Sequence, residues 1–383
     1  MTRIPAVAVA VLVVTAFVGG FAGVAAGTPS VAGDADVEAP ACEFPVTLTD
    51  ATGESVTLEE PPERIVTTNP SAAQVLWEFG TQDRVVGLTQ YAAYLDGAFD
   101  GDVERENVSA EFGVDNEKVV GADPDLVLAP NATGVDDTVQ PLRDAGVTVY
   151  HFHEATDVDD IADKTDRIGQ LVGECEAAAE TNQWMYDEVD AVEERTADFD
   201  RPTALYPLGS GFVAAGDTFI DEIMTIGGTE NVAAAEHVGY PQLSPEVVIE
   251  ADPELILVIE RTAGILDEEP YSQTTAGRER NAVEMQIHYL NQPAPRSVVE
   301  STNTIADAVE TYQAADADGD ADDVVDGADA DDEATDGDDE TPETPAEDDD
   351  DATGVAAPGF GIGVTALAAL IVALSATVIA RRR

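Results

Sequence analysis

The chain has 383 residues, 44% of them hydrophobic, enough for two domains with cores of their own and terminal extras besides. Seventy-eight acidic residues against seventeen basic ones give a net charge of −61, which excludes nucleic acid and anionic lipid surfaces as partners. The acidic excess runs through the body of the chain as well as its tail, as suits a solvated surface in a very salty medium, where screening removes self-repulsion.

From the start, Arg3, the apolar run Ile4 to Phe21 and the small residues Gly23 to Gly27 read as a secretory signal over residues 1–26, so the body is expected outside the cell. Cys42 lies too far past the apolar run to be a lipid-bearing cysteine. In an oxidising compartment it is expected to pair with Cys175, the other cysteine; two unrelated thiols are the alternative. From Phe44 to Leu58, alternation on either side of Asp50-Ala-Thr-Gly53 predicts a hairpin. Pro61-Pro62 then releases the chain into a strand at Arg64–Thr68 and a helix over Ser71–Phe79, for which Ser71 is the expected cap. Strands at Arg84–Leu88, Asp125–Ala129 and Val147–His151 alternate with helices at Glu117 and over Val139–Ala145, which implies a parallel sheet covered on both faces. This first lobe spans residues 44–153.

Residues 154–198 read as a connector. Ile161, Ile168, Leu171, Val172 and Cys175 recur at helical spacing, but Gly169 and Gly173 predict a break near Gly173. The piece from Glu174 to Arg195 carries Ala178, Met185, Val189 and Val192 along one stripe, and at 1.5 Å per residue its length of roughly 33 Å is enough to bridge two lobes by itself. A second lobe follows over 199–312, with strands at Thr203–Leu208 and Phe212–Ala215, a helix over Thr218–Ile226 and a closing helix over Ser297–Tyr312. Residues 313–357, dense in Asp and without an aromatic or basic residue, are expected to be a disordered, self-repelling spacer. Residues 358–383 hold Pro358-Gly359-Phe360, the apolar run Gly361–Ala380, long enough for a transmembrane helix, and three arginines expected in the cytoplasm.

One pattern occurs twice. NEKVVGADPDLVLA at 116–129 and YPQLSPEVVIEADPELILVI at 240–259 each place a Glu (Glu117, Glu246) six residues before Asp-Pro (Asp123-Pro124, Asp252-Pro253) and a following apolar run. Each copy predicts a short helix ended by Asp-Pro, since the residue before proline is pushed out of the helical region, and then a strand buried on both faces. A repeat at so long a separation means paired lobes rather than a solenoid. His151 and His153 alternate as a metal pair would, but no acidic partner stands at ligand spacing, so no metal site is expected. Gly209-Ser210-Gly211 lacks the spacing of a nucleophile elbow and no Ser, His and acid set supports hydrolysis, so an enzyme is not expected. Those glycines are expected to let the backbone approach a ligand.

The order PERIV with its helix, VVGLTQYAAY, EKVVGADPDLVLA, GVTVYHF, a long connector, GDTFIDEIMTIGGTENV, YPQLSPEVVIEADPELILV and a late PR before the closing helix resembles the substrate-binding proteins of ABC importers for cobalamin, haem and siderophore iron. The resemblance covers Phe44 to Tyr312, and PQLSPEVV with the loop after QYAAY looks most like the cobalamin-binding members. It implies an α/β fold of two Rossmann-like lobes bridged by a single long helix, the class III periplasmic-binding-protein fold, followed by the acidic tail and transmembrane segment. It implies cobalamin as a transported ligand rather than a cofactor, siderophore iron or haem as the alternative, and an ABC permease dimer with its ATPase subunits as partner. Open α/β sheets bind ligands beyond the carboxyl ends of their strands, so the expected ligand residues are Tyr91, Tyr94, Phe112, Asn131, Phe212, His288, Tyr289 and Arg296. Aromatics with a few polar groups suit the broad apolar faces and polar fringe of a corrinoid or porphyrin. Glu117 and Glu246 are implied to dock onto arginines of the permease. The PGF tripeptide, apolar helix and terminal arginines resemble the sorting signal of haloarchaeal surface proteins, which implies cleavage and a lipid in place of the helix; an intact transmembrane anchor is the alternative. Either way the expected location is the extracellular face of the cytoplasmic membrane, with anchorage through the C-terminus.

Overall fold

The computed structural model describes residues 42–111, 113–131 and 135–323. The expected secretory signal, Phe112, most of the acidic spacer and residues 358–383 lie outside the described residues. Among the described residues no helix is long and apolar enough to cross a membrane.

The predicted hairpin forms from β1 (Val46–Thr49) and β2 (Ser55–Leu58), paired antiparallel. The first lobe then runs β3 (Ile65–Thr67), α1 (Pro70–Glu78), β4 (Val85–Leu88), β5 (Glu106–Asn107), α2 (Asn116–Gly121), β6 (Leu126–Ala129), α3 (Asp136–Asp144) and β7 (Val149–His151). Its strands pair in parallel in the order β5-β4-β3-β6-β7. Because successive strand residues face opposite sides, Ile65, Leu126 and Leu128 enter one core while Val66, Val127 and Ala129 enter the other. The cap of α1 is Asn69 rather than Ser71: its side-chain oxygen accepts from the Ser71 amide at 2.8 Å. Pro70 occupies the first helical position, where a missing N–H is harmless, and so pushes the cap one residue earlier.

The connector forms α4 (Val158–Val172) and α5 (Cys175–Thr196), separated at Gly173, whose φ of +81° takes the left-handed conformation that ends a helix. The break falls where the sequence places it, but the bridge is not one helix. Val158, Ile161 and Ala162 of α4 pack in the second lobe's core, and Ile168, Leu171 and Val172 in the first's. α5 returns the other way, with Ala178 in the first core and Met185, Val189 and Val192 in the second. A helical hairpin therefore joins the lobes. Cys42 and Cys175 are disulfide-bonded, their Cα atoms 5.5 Å apart, which fastens the chain ahead of the N-terminal hairpin to the first residue of α5.

The second lobe runs β8 (Thr203–Leu205), β9 (Pro207–Gly209), β10 (Phe212–Val213), α6 (Phe219–Ile226), β11 (Glu230–Asn231), α7 (Pro245–Ala251), β12 (Leu255–Val258), α8 (Thr275–Glu279), β13 (Ala282–Glu284), α9 (Ile287–Leu290) and α10 (Pro295–Asp323). Its four-stranded sheet is again all parallel, in the order β11-β8-β12-β13, while β9 and β10 form a separate hairpin. Leu255 and Leu257 of β12 enter one core, Ile256 and Val258 the other. Two departures from the sequence reading stand out. α10 continues past Tyr312 to Asp323, into the stretch expected as spacer. The chain also returns to touch the first lobe near its end: Leu290 and Val298 belong to the second core, but Ala294 between them packs in the first.

Candidate functional site

The two repeat copies fold alike, 129 positions apart. Glu117 and Glu246 each take the second position of a short helix, behind Asp115, which accepts from the Glu117 and Lys118 amides at 3.0 and 3.2 Å, and Ser244, which accepts from the Val247 amide at 3.4 Å. Asp123 and Asp252 leave the helical region as expected, both into the left-handed conformation at φ +50° and +41°, which Asp tolerates better than most residues. The acid after each Asp-Pro then fixes a neighbouring strand. Asp125 accepts from the Glu63 and Arg64 amides at 3.0 and 2.9 Å beside β3, and Glu254 from the Thr203 amide and hydroxyl at 2.7 and 3.0 Å at β8. Both repeat glutamates are exposed, and α2 and α7 enter from the carboxyl side of their sheets. The Glu246 carboxyl is held below the usual range by its own amide and the Ser244 hydroxyl.

The expected ligand residues divide. Tyr94 of the first lobe stacks on His288 of the second at 4.4 Å and meets Tyr289 edge-on at 6.2 Å, so three of them converge across the lobes. The Tyr94 hydroxyl, raised well above its ordinary pKa by burial, accepts from Gln74 Nε2 at 2.5 Å. Gln74 is itself buried, and the same amide donates to Ser297 Oγ at 3.0 Å and to the His288 carbonyl at 3.3 Å. Tyr91 is 58% exposed just past β4, and Asn131 is exposed just past β6. Three features differ from expectation. Arg296 forks onto Glu78 at 2.5 and 2.7 Å and lies 5.1 Å over the Trp184 ring, so its guanidinium is committed to an interlobe ion pair rather than open to a ligand. Phe212 is buried, its strand bridged to Gln242. A Cβ on Gly211, at φ +80°, would lie 3.1 Å from the Leu243 carbonyl, so this glycine permits a close approach to the loop ahead of α7, while the space beside Gly209 is open.

His151 is buried with Nδ1 2.9 Å from the Ala129 carbonyl, while His153 is exposed, and the two do not form a site. Among the described residues no group of three or more His, Cys, Asp or Glu side chains is placed to hold a metal ion. A cavity of about 580 Å³ lies against the bridge beside Cys42 and Cys175, lined by Val46, Ala162 and Ala178 as well as by Asp163, Asp166 and Tyr186.

Tyr240 is a partly exposed aromatic that the sequence reading did not single out. It is 37% exposed, yet burial is the largest cause raising its hydroxyl to about 12, followed by Glu154 and Tyr206. Glu154 lies just past β7, and Tyr206 lies just past β8, buried, bonded to Asn291 and near Arg261. Tyr240 thus lies near Glu154 of the first lobe as well as Tyr206 of the second. It heads the second repeat copy, but the strand before its loop, β11, is two residues long and carries no alternation to be read.

Residues 65–287 match the periplasmic binding protein family. A cobalamin-binding protein of Halobacterium salinarum is 42% identical over 280 residues, 70% of this chain and 75% of its own. A vitamin B12-binding protein of Yersinia pestis is 25% identical over 198 residues, 51% of this chain and 69% of its own. Among solved structures, the periplasmic heme-binding protein RhuT from Roseiflexus sp. aligns with a TM-score of 0.58 at 25% identity, covering 64% of this chain and 99% of that one. The periplasmic vitamin B12 binding protein BtuF of Vibrio cholerae aligns with a TM-score of 0.56 at 22% identity, covering 66% and 98%.

Proposed function

The chain belongs to the periplasmic binding protein family, and on that premise we propose that it captures cobalamin outside the cell and delivers it to the permease of an ABC importer. The observation that carries the reading is the 42% identity with the cobalamin-binding protein of Halobacterium salinarum, whose source also suits the acidic surface. The cleft supports a large flat ligand: Tyr91, the Tyr94, His288 and Tyr289 group, and Tyr240 offer aromatic faces. Its charges suit an amide-fringed corrinoid better than a ligand with free carboxylates, because Glu154 stands beside Tyr240 and Arg296 is already held by Glu78. Binding changes no bond in the ligand, and cobalamin is cargo, not cofactor. A second reading, haem or ferric siderophore, draws on the 25% identity with a heme-binding protein.

In this proposal Glu117 and Glu246 dock onto arginines of the permease, residues 1–26 direct export, and residues 358–383 hold the protein at the outer face of the cytoplasmic membrane. The test is absorbance of the purified protein after dialysis against cobalamin, haem and ferric siderophores in molar KCl. Retained cobalamin is expected. Retention of haem with no cobalamin would replace the ligand and leave the family untouched.

A further inference from the structure

Cations are scarce in this chain, 17 against 78 acids, and almost all of them are already engaged. Among the described residues every lysine and arginine but one donates to a carboxylate, a carbonyl or a hydroxyl. The exception is Arg261, an exposed residue with neither a hydrogen bond nor an ion pair among the described residues. It stands three residues past β12, in the 3-10 helix Glu260–Asp267. β12 pairs in parallel with β8, so the segments that leave both strands emerge on one side. Tyr206, the first residue past β8, is within reach of it: burial raises the Tyr206 hydroxyl, and the Asn291 hydrogen bond and then the Arg261 charge work against that rise. Asn291 lies two residues past Tyr289, and Tyr206 in turn bears on the Tyr240 hydroxyl. The free guanidinium therefore borders the aromatic residues of the candidate site, on the carboxyl side of the sheet, where open α/β sheets bind ligands.

A guanidinium carries its N–H donors in a fixed fork that matches a phosphate or a carboxylate with two parallel bonds. Arg296 has that fork filled by Glu78; Arg261 has it open. The number of free cations bears on the ligand. A complete cobalamin carries one anionic group, the phosphodiester of its nucleotide loop, on a ring otherwise fringed with amides, whereas a porphyrin carries two carboxylates. One open arginine complements the single anion. Salt does not remove the contact, because a bidentate bond closed off from water by a bound ligand survives the screening that weakens open ion pairs. We propose that Arg261 is the anion-recognition residue of the ligand site, forking onto the phosphodiester of the corrinoid's nucleotide loop, so that the protein distinguishes complete cobalamin from corrinoids without the loop. The inference rests on the cobalamin reading and adds which part of the ligand the second lobe reads.

The experiment measures equilibrium binding of the exported protein to cyanocobalamin and to dicyanocobinamide in molar KCl; the second keeps the ring and its amides but lacks the phosphodiester. Arg261→Gln is expected to weaken cyanocobalamin binding about tenfold, the loss of hydrogen bonds to a charged group, with cobinamide affinity within about twofold of the parent and an unchanged circular dichroism spectrum. Arg261→Lys keeps the charge without the fork and is expected to fall between parent and Arg261→Gln for cyanocobalamin alone. Variants that bind both corrinoids like the parent, or that lose both alike, overturn the phosphodiester contact and leave the cobalamin reading in place. A parent that retains haem and neither corrinoid removes both the contact and the reading on which it rests.

Discussion

Replacing Lys164 by methionine tests how the junction between the lobes is held. Lys164 is buried on α4, its ammonium donating to Ser71 Oγ at 3.4 Å and to the Pro293 carbonyl, and among the described residues it has no salt bridge to a carboxylate. Burial lowers its pKa to about 7. A free lysine titrates near ~10.4, so between these values the unfolded chain binds the extra proton and stability rises with pH; below pH 7 the penalty is fully present. The gap corresponds to at most about 4–5 kcal/mol, and relaxation around the charge reduces that to roughly 2–4 kcal/mol. Methionine keeps the stem's packing but leaves Ser71 and Pro293 without their donor, a loss of about 1–2 kcal/mol. Lys164→Met is therefore expected to be more stable than the parent by about 1–2 kcal/mol at pH 6 and no more stable at pH 10. Denaturant midpoints in 2 M KCl at pH 6, 8 and 10 check this, since salt screens a buried charge only weakly. A variant destabilised equally at all three pH values would refute the reasoning, because the lysine would then be contributing contacts and no strain.

Glu117→Arg with Glu246→Arg should leave cobalamin affinity within a few-fold of the parent and abolish uptake into cells; undiminished uptake removes the docking role. Cys42→Ser with Cys175→Ser opens a link across 133 positions, for which the chain-entropy estimate is about 5 kcal/mol, so thermal midpoints should fall well below those of the unreduced parent. Tyr240→Ala is expected to weaken cobalamin binding about tenfold. With its hydroxyl raised to about 12, Tyr240 stays neutral where an ordinary tyrosine ionises, so the ultraviolet difference titration between parent and Tyr240→Phe should show no tyrosinate signal before about pH 11. Arg296→Lys keeps the charge but loses the fork onto Glu78, and is expected to cost about 1–2 kcal/mol of folding stability.

The elements readable in the chain were those whose pattern is local. LVLA and LILV announce central strands because neither has a residue suited to water, and Gly173 announces a helix end because of what a glycine does there. β5 and β11, two residues each at sheet edges, have no pattern to read. The stripe from Ile161 to Val172 looks the same whether it packs on one core or two, so the hairpin form of the bridge was hidden. The site was harder still. Arg296 read as an available cation because its partner, Glu78, stands 218 positions earlier, and no spacing rule reaches that far. Tyr94 and His288 could each be placed at a strand end, but only the folded chain makes them neighbours.

The several contacts between the lobes bear on how the proposed importer subunit would present its cargo. A single strut lets two bodies swing; α4, α5 and the Ala294 contact, together with the Gln74 and Arg296 bonds, lace them at several points. In the proposed delivery role, lobes laced at several points are expected to shift little against each other, so that an importer would sense the cargo at the mouth of the cleft rather than through a change of outline.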